Sequence, residues 1–157
     1  DKFFNGVISK FVDSYANGET PVPCIQCNQT VKFSDLLKES KNLNADALVT
    51  GHYAIRKGGL EGSQLYKAKD KTKDQSYFLF ATLQDQLDYV RFPLGNYLKS
   101  EIRQMANDYK LVVSDKPDSQ DICFVTSDSY RDLINKIQPD INKEGNIFDI
   151  HGIYFSD

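Results

Sequence analysis

A short apolar run in the middle of the chain constrains its fold more than any other stretch. In "ADALVTGHYAI" residues 47–49 are apolar without interruption, and the run ends at Thr50-Gly51-His52. A continuous apolar run of this kind predicts a buried strand of a parallel sheet, with helices on both faces. The Gly-His pair then stands at the carboxyl end of the strand, where open α/β sheets bind ligands. The sequence therefore predicts an α/β fold with a ligand site near His52.

The segments before this strand are predicted to be helical with one interruption. Apolar residues at helical spacing predict a first helix that ends at Gly18, formed by Phe4, Val7, Ile8, Phe11, Val12 and Tyr15. Two prolines flank Val22, so "ETPVPCIQCN" is predicted to be an ordered loop rather than a helix. A second helix is predicted from about Val31 to Leu43, with three residues facing inward: Leu36, Leu37 and Ser40.

The segments after the strand mix hairpins and helices. The glycine-rich "RKGGLEGS" predicts a hairpin tip, and "KDQSYFLFATLQDQLDYV" is predicted to be helical in two pieces. "RFPLGNYL" is predicted to be a loop before a helix in "KSEIRQMANDY", with Ile102, Met105 and Tyr109 on one side. "LVV" predicts a short strand, "SDKPDSQD" a loop and "SYRDLINKI" a short helix. The tail "GNIFDIHGIYF" predicts two β-like runs around His151-Gly152.

Composition is that of an ordinary globular protein. The chain has 157 residues, of which 40% are hydrophobic and 26% charged, and it is long enough for one domain with a core. Without a run of eighteen apolar residues or a signal peptide, neither a membrane span nor secretion is expected. The odd count of three cysteines favours a reducing compartment, so we expect a cytoplasmic protein. A net charge of −3 argues against nucleic-acid binding by bulk charge, although a local basic patch would suffice.

The three cysteines allow several interpretations. Cys24 and Cys27 have C-x-x-C spacing, and Cys123 lies far along the chain in "DSQDICFV". A structural zinc site needs four ligands, which the cysteines and His52 could supply. A thioredoxin-type pair starts a helix after a strand, whereas a helix and a proline precede this pair. Cys123 could also be a small buried hydrophobe. The remaining interpretation is reactive thiols, one holding a persulfide and another resolving it by exchange.

Five blocks of the sequence together resemble the tRNA-specific 2-thiouridylases, in that family's order. They are "TPVPCIQCNQTVKF", "NADALVTGHYA", "DKTKDQSYFLF", "FPLGNYLKSEIRQMA" and "DSQDICF". The resemblance covers most of the chain, from about Phe11 to Phe124. The resemblance implies the later part of a nucleotide-binding, adenine nucleotide hydrolase-like parallel-sheet domain at residues 1–128, with both catalytic cysteines. The start of a small central tRNA-binding domain is implied at residues 129–157.

The ends of the sequence suggest a piece of a longer protein. It begins with Asp and stops at "HGIYFSD". The Ser-Gly-Gly-x-Asp-Ser type of phosphate-binding loop found in the family is absent from this sequence, and "GGLEGS" follows no strand-to-helix turn that would replace it. The family's C-terminal β-barrel is also expected to be missing. We therefore expect this chain to be inactive by itself.

The resemblance implies roles for the cysteines and for the residues before them. Cys27 matches the family's nucleophile, and Cys123 matches the cysteine that carries the persulfide. These two are expected to come within disulfide reach, while Cys24 faces elsewhere. Val22, Pro23 and Cys24 match the segment that contacts the target base, although Val22 stands where the family often has Asn. Some members have Asp at the position of Cys24. Because the pKa of a thiol lies far above that of a carboxylic acid, Cys24 is not expected to replace this Asp in general acid/base catalysis.

Ligand contacts are implied for a second set of residues. Gly51 matches a backbone contact to ATP. Contacts to tRNA are implied for His52, Lys73, Asp74 and Gln75. A local basic patch could support them, consisting of Lys67, Lys69, Lys71 and Lys73, although such a cluster is also typical of a solvated hairpin edge.

The activity implied is ATP-dependent transfer of sulfur from a cysteine persulfide to C2 of the wobble uridine of tRNA, through an adenylated base. Magnesium would accompany ATP, and the implied partners are the tRNA anticodon region and a sulfur-donor protein or cysteine desulfurase system. No metal ligand is assigned. Two alternatives stay open: a zinc-stabilised RNA-binding module without catalysis, and another ATP-dependent sulfurtransferase or amide transferase on the same scaffold.

Overall fold

The computed structural model describes residues 2–116, 118, 122–125, 129–141 and 145–156. A π-helical segment, Phe4–Ile8, continues into α1 (Ser9–Ala16), and Gly18 follows with a φ of 74°. The predicted first helix and its end are thus confirmed. A second helical run consists of α2 (Pro23–Cys27), π-helical turns over Asn28–Leu36, and α3 (Leu37–Asn42). The later helices are α4 (Gln84–Tyr89), α5 (Lys99–Asp108) and α6 (Tyr130–Ile137), with 3₁₀ turns at Ser76–Leu79, Pro93–Asn96 and Pro139–Ile141.

The described residues contain six strands, which form three separate pairs. The strand β1 (Leu48–Val49) lies parallel to β4 (Val90–Arg91), with Leu48 opposite Val90. Antiparallel pairs join β2 (Ala54–Lys57) to β3 (Gln64–Lys67), and β5 (Ile147–Phe148) to β6 (Tyr154–Ser156). Mixed helices and strands with a parallel pair agree with the predicted α/β class, and the hairpin at residues 54–67 is confirmed. The strand β1 is less buried than predicted, because Val49 is exposed.

The prediction of a loop between Pro21 and Asn28 was wrong. The chain enters α2 at Pro23, which occupies the first helical position. Proline is tolerated there because its missing N–H would have no partner in the first turn, and its φ already suits a helix. The helix therefore begins about eight residues before the predicted start at Val31, and both cysteines of the C-x-x-C pair are helical.

Smaller differences concern single residues. Leu36 was predicted to face inward but is exposed, whereas Leu37 is buried as predicted. Residues 111–113 were predicted to form a strand but lie in an exposed turn, and Tyr109 is exposed as well. The two residues of β4 were not predicted to form a strand: Val90 was predicted to end a helix and Arg91 to begin a loop. Four residues of the predicted loop "SDKPDSQD", at positions 117 and 119–121, lie outside the described part of the chain.

Within the described part of the chain, buried apolar side chains form two clusters. The first joins the second helical run to the strands, through Phe33, Leu37, Ala54, Leu79, Leu87, Val90 and Phe92. The second joins α1 to α6 through Phe11, Val12 and Ile134, with Ile122 and Phe124 packed against it. Ile134 lies beyond the predicted domain boundary at residues 128–129 but packs on α1. That boundary stays a prediction, since positions 126–128 are not among the described residues.

Candidate active site around three cysteines

The second helical run places polar and sulfur-bearing side chains on one face. Cys24, Asn28 and Lys32 follow one another at intervals of four residues, so they lie one above another along the helix. Cys27, three residues after Cys24, shares this side. Pro23 is buried at the helix start. The local helix therefore directs two thiols, an amide and an ammonium group toward the same space.

Cys123 reaches this space from the opposite direction. Its neighbours Ile122 and Phe124 pack against the second apolar cluster, and the ring of Phe124 lies 5.3 Å from that of Phe11 in an edge-on arrangement. Phe3 contacts the other side of Phe124, at 5.9 Å between ring centroids. Apolar packing of Ile122 and Phe124 therefore holds the backbone on both sides of the exposed Cys123.

A cavity of about 140 Å³ lies between these two groups of residues. It is lined by Phe3, Val7, Pro23, Cys24, Cys27, Asn28, Lys32, His52, Gln75, Phe78, Ile122, Cys123 and Phe124. All three cysteines of the chain thus meet at one cavity, and all three are free thiols. A ligand that enters would meet sulfur from two distant parts of the sequence.

The cavity raises the pKa of two of the thiols. For Cys24 the main cause is burial, followed by the nearby Cys123, while Lys32 acts in the opposite direction. Burial is also the main cause that raises the pKa of Cys27. Lys32 lowers this pKa, and its effect is larger than that of either Cys123 or Cys24, which raise it. Both thiols are therefore protonated at neutral pH in the free chain, and Lys32 is the group that favours their thiolate forms.

His52 lies at the wall of the cavity in the neutral form. Its side chain is 9% exposed and packs against the rings of Phe33 and Phe92, which also contact each other. Burial and the charge of Lys32 lower the pKa of His52 to about 4. The Lys32 ammonium lies 3.5 Å from Nε2 and can only donate, so Nε2 accepts and Nδ1 carries the proton. Nδ1 lies 2.9 Å from the hydroxyl oxygen of Thr50, which accepts that proton's hydrogen bond.

Asn28 and Gln75 connect the cavity to its surrounding backbone. Asn28 is only 2% exposed and donates from Nδ2 to the Phe78 carbonyl at 3.1 Å. Its Oδ1 has no hydrogen-bond partner among the described residues, which is uncommon for a buried acceptor. The Gln75 side-chain oxygen accepts from the Tyr53 N–H at 3.0 Å, and the Gln75 backbone N–H donates to the Tyr53 carbonyl at 2.8 Å. Gln75 is thereby fixed beside His52.

The structure brings together only some of the residues that the sequence singled out. The cavity is lined by Pro23, Cys24, Cys27, His52, Gln75 and Cys123. The expectation that Cys24 faces elsewhere was wrong, because a helix places residues i and i+3 on one side. Four described residues lie outside the lining: Val22, Gly51, Lys73 and Asp74. Sequence reasoning also missed Asn28 and Lys32. They follow Cys24 at successive intervals of four residues, which is informative only once this segment is known to be helical.

The residues outside the lining have defined environments. Val22 is exposed and borders a neighbouring hollow, while Gly51 is exposed after β1. Asp74 is engaged locally, since its carboxylate accepts from the Ala68 N–H and the Ser76 hydroxyl, both at 2.8 Å. The ammonium of Lys73 lies 2.8 Å from the carboxylate of Asp118. Asp74 therefore shapes the turn, whereas Lys73 belongs to a separate charged cluster.

Metal and membrane features were searched within the described part of the chain. No group of three or more His, Cys, Asp and Glu side chains in these ranges could hold a metal ion. Among the same residues, no helix has the length and apolar character needed to cross a membrane.

Comparisons with known proteins agree with the sequence resemblance. The chain is 57% identical over 152 residues to the tRNA-specific 2-thiouridylase MnmA of Orientia tsutsugamushi (strain Boryong), which covers 97% of this chain and 41% of the relative. It is 54% identical to the protein of that name from Rickettsia bellii (strain OSU 85-389), over 96% of this chain and 41% of the relative. The protein of that name from Rickettsia prowazekii (strain Madrid E) is 52% identical, over 97% and 42%.

The chain thus spans about two fifths of the length of these relatives. Residues 1–127 match the family described as "tRNA methyl transferase HUP domain", which includes α1 to α5, β1 to β4 and all three cysteines. With four fifths of its residues matched, the chain belongs to the tRNA methyl transferase HUP domain family.

Proposed function

We propose that this chain is part of a tRNA 2-thiouridylase and that the cavity between its cysteines is where sulfur passes to the wobble uridine. One observation supports this most directly: Cys27 and Cys123, far apart in the sequence, line the same cavity. Persulfide transfer requires two thiols that can approach each other, which this arrangement allows. The names of the similar proteins supply the substrate class.

The proposed chemistry uses the two thiols in turn. Cys123 carries a persulfide whose terminal sulfur attacks C2 of the uridine. The bond between C2 and its adenylated oxygen breaks, and AMP leaves with that oxygen. The Cys27 thiolate then attacks the Cys123 sulfur. The sulfur–sulfur bond breaks, its electron pair stays with the sulfur on C2, and the thiocarbonyl product is released. Cys27 and Cys123 end in a disulfide, which an external thiol reduces with two electrons before the next cycle.

Protonation sets a requirement on this scheme. Since burial raises the pKa of Cys27, its thiol must lose a proton before it can attack. Lys32 is the nearby cation that favours this loss, so we assign it the role of stabilising the Cys27 thiolate. His52 is neutral and hydrogen-bonded at both ring nitrogens, so in this scheme it contributes shape and hydrogen bonding to the cavity wall rather than positive charge.

Substrate contacts are proposed from the positions around the cavity. Pro23 and Cys24 would contact the flipped base, with Val22 at the outer edge, and His52 and Gln75 would meet the tRNA beside it. Lys73 and Asp74 would contact the tRNA outside the cavity.

ATP binding is proposed at the carboxyl end of β1, where the exposed Gly51 leaves its backbone accessible. ATP supplies the AMP that activates the base, and magnesium would accompany its phosphates. A sulfur-donor protein or cysteine desulfurase would load Cys123, and a reducing cytoplasm suits three free thiols. We also propose that residues 1–128 belong to the nucleotide-binding domain and that a central tRNA-binding domain begins at residue 129.

Mild oxidation of the purified chain tests the cysteine pairing. We expect the main product to be a Cys27–Cys123 disulfide, found by peptide mapping under non-reducing conditions, because these thiols share the cavity and are the proposed pair. The matched variant is Cys24→Ser, which should give the same bridge in similar yield. A Cys24–Cys27 bridge as the main species, with Cys123 unreactive, would contradict the two-cysteine mechanism.

The activity itself is tested in the longer protein that contains this chain. Cys27→Ser and Cys123→Ser should each abolish formation of 2-thiouridine in tRNA, measured by mass spectrometry of nucleosides, while Cys24→Ser should retain substantial activity. One equivalent of zinc per chain, lost together with the fold on chelation, would instead indicate a zinc-stabilised RNA-binding module.

A further inference from the structure

Three cations outside the cavity converge on a single carboxylate. The ammonium of Lys73 lies 2.8 Å from one oxygen of Asp118, and Lys99 and Arg103 lie 3.3 and 3.2 Å from the other. We call these four residues the Asp118 cluster. Hydrogen bonds from Lys73 and Lys99 lower the pKa of Asp118 to about 2, so its carboxylate is charged at neutral pH. The cluster holds three positive charges against one negative charge.

The backbone fixes two of the cations relative to each other. Lys99 and Arg103 stand one turn apart on α5, so their side chains leave the same face. The Lys99 N–H donates to the Asp70 carboxylate at 3.0 Å, and Asp70 also accepts from the N–H of Thr72. The start of α5 is thereby tied to the turn that carries Lys73. Three long side chains can thus meet at one point without the molecule rearranging.

The neighbouring carboxylates are occupied by other partners. Asp70 accepts from the backbone and from the Thr72 hydroxyl at 2.7 Å. Glu101 accepts from the Leu98 N–H at 2.5 Å and pairs with Lys69 at 3.1 Å. The side chains of Lys73, Lys99 and Arg103 are 40%, 32% and 47% exposed, so an anion from solvent can reach all three. Asp118 is therefore the one carboxylate of this neighbourhood that all three cations share in the described structure.

We propose that Lys73, Lys99 and Arg103 form a binding site for a backbone phosphate of the RNA substrate, and that Asp118 occupies this site in the free chain until RNA displaces it. The RNA identity of the ligand rests on the proposed function. A phosphate offers oxygens to a guanidinium fork and to two ammonium groups, as the carboxylate of Asp118 does. Asp118 is then a competitor built into the chain, and RNA affinity is lowered by the free energy needed to displace it.

The position of Asp118 gives this competition a further consequence. Cys123 lies five residues after Asp118 (123 − 118), on the same stretch of chain. When RNA binds the three cations, the carboxylate of Asp118 loses its ion pairs with Lys99 and Arg103 of α5. RNA binding at the three cations therefore changes the contacts of a residue that is close in sequence to the proposed persulfide carrier.

The test compares Asp118→Asn with Asp115→Asn in this 157-residue chain. Both substitutions remove one negative charge from the same segment, but Asp115 is not part of the cluster. Binding of a fluorescent anticodon stem-loop RNA is measured by anisotropy at several salt concentrations. We expect Asp118→Asn to bind about tenfold more tightly, with a steeper salt dependence by about one unit of log–log slope, and Asp115→Asn to stay within about twofold of the parent chain.

A double variant tests whether the gain acts through the cations. In the Lys99→Gln/Arg103→Gln background, RNA should bind more weakly, and Asp118→Asn should no longer improve it. Exposed ion pairs contribute little stability, so all variants should keep the parent's circular dichroism and melting temperature. Equal affinities of Asp118→Asn and Asp115→Asn, or an unchanged gain in the double variant, would overturn the proposal.

A second anion separates this proposal from the proposed function. With tripolyphosphate as the probe, Asp118→Asn should again bind more tightly than Asp115→Asn. A gain for tripolyphosphate without a gain for RNA would overturn the RNA assignment of the site. Loss of tRNA thiolation by Cys27→Ser in the longer protein tests the proposed function alone, since Cys27 is not in the Asp118 cluster.

Discussion

Burial and the neighbouring Lys32 both lower the pKa of the His52 imidazole. The free energy of unfolding should therefore depend on pH. The folded pKa of about 4 lies below the ordinary value of 6.5, so between these values the unfolded chain binds more protons. Stability then rises with pH in this window and falls on acidification. We expect a loss of about 2 kcal/mol between pH 7 and pH 5 from this residue, measured by urea denaturation at both values.

Two variants assign that pH dependence to its cause. His52→Asn removes the titrating group but keeps an amide near the hydroxyl of Thr50, so its stability should change less between pH 7 and pH 5. Lys32→Gln removes the cation that lowers the pKa of His52 and should also reduce the change. An identical pH dependence in all three proteins would mean that His52 is not held neutral by its surroundings.

At the residue scale, the sequence predicted which side chains line the site better than it predicted which other residues lie beside them. Cys27, Cys123, His52 and Gln75 were singled out from local blocks and do line one cavity. Lys32 was not found, because its proximity to the cysteines depends on a helix that was predicted to be a loop. The effect of Lys32 on the pKa of His52 depends on the distance between the two side chains. The sequence gives no such distance until the secondary structure is known.

At the level of elements, the 3₁₀ turn Pro93–Asn96 lies with its backbone directly against the backbone of β2 at Gly95. A Cβ atom placed on Gly95 would lie 1.8 Å from the carbonyl oxygen of Ala54, a buried residue of the first apolar cluster. Since the obstacle is backbone, no side-chain rotation relieves it. We expect Gly95→Ala to lower the free energy of unfolding by about 3 kcal/mol, measured by urea denaturation.

Gly58→Ala is the matched control for this prediction. A Cβ on Gly58, at the tip of the hairpin, would meet only the end of the Arg56 side chain at 3.9 Å, an ordinary contact. Its stability should stay within about 0.5 kcal/mol of the parent chain. Similar free energies of unfolding for the two variants would contradict the prediction, because they would mean that the turn can move away from β2 without destabilising the chain.

The elements that could be predicted are those with a strong local pattern. The hairpin at residues 54–67 has a glycine-rich tip between alternating runs, and α6 has a Ser129 cap before an amphipathic run. The start of α2 was missed because proline is compatible with both a loop and a first helical turn. The strand β4 is two residues long, and its pairing with β1 joins segments about forty residues apart, which local pattern does not reveal.

Over the whole molecule, the two apolar clusters contain no described residue beyond Ile141. The hairpin β5–β6 has exposed apolar side chains and is joined through its own strand pairing. An isolated two-stranded hairpin contributes little stability. A chain that ends at Ile141 should therefore melt within a few degrees of the full chain by circular dichroism, a change of less than about 1 kcal/mol.

A contrasting truncation gives this prediction its reference. Ending the chain before α6 removes Ile134 from its contact with Phe11 and Val12, and should lower the melting temperature clearly. If loss of the β5–β6 hairpin lowers it as much, the hairpin must pack on the rest of the molecule in solution.

The meeting of Cys27 and Cys123 at one cavity has a consequence for the unfolded chain. A bond between them would close a loop of roughly 100 residues, and in the chain-entropy model such a loop restricts the unfolded ensemble by an amount on the order of 5 kcal/mol. The proposed reaction ends with this bond formed. Each cycle would then leave the chain topologically cross-linked and harder to unfold, and the reductant that resets the thiols would also restore the lower stability of the open chain.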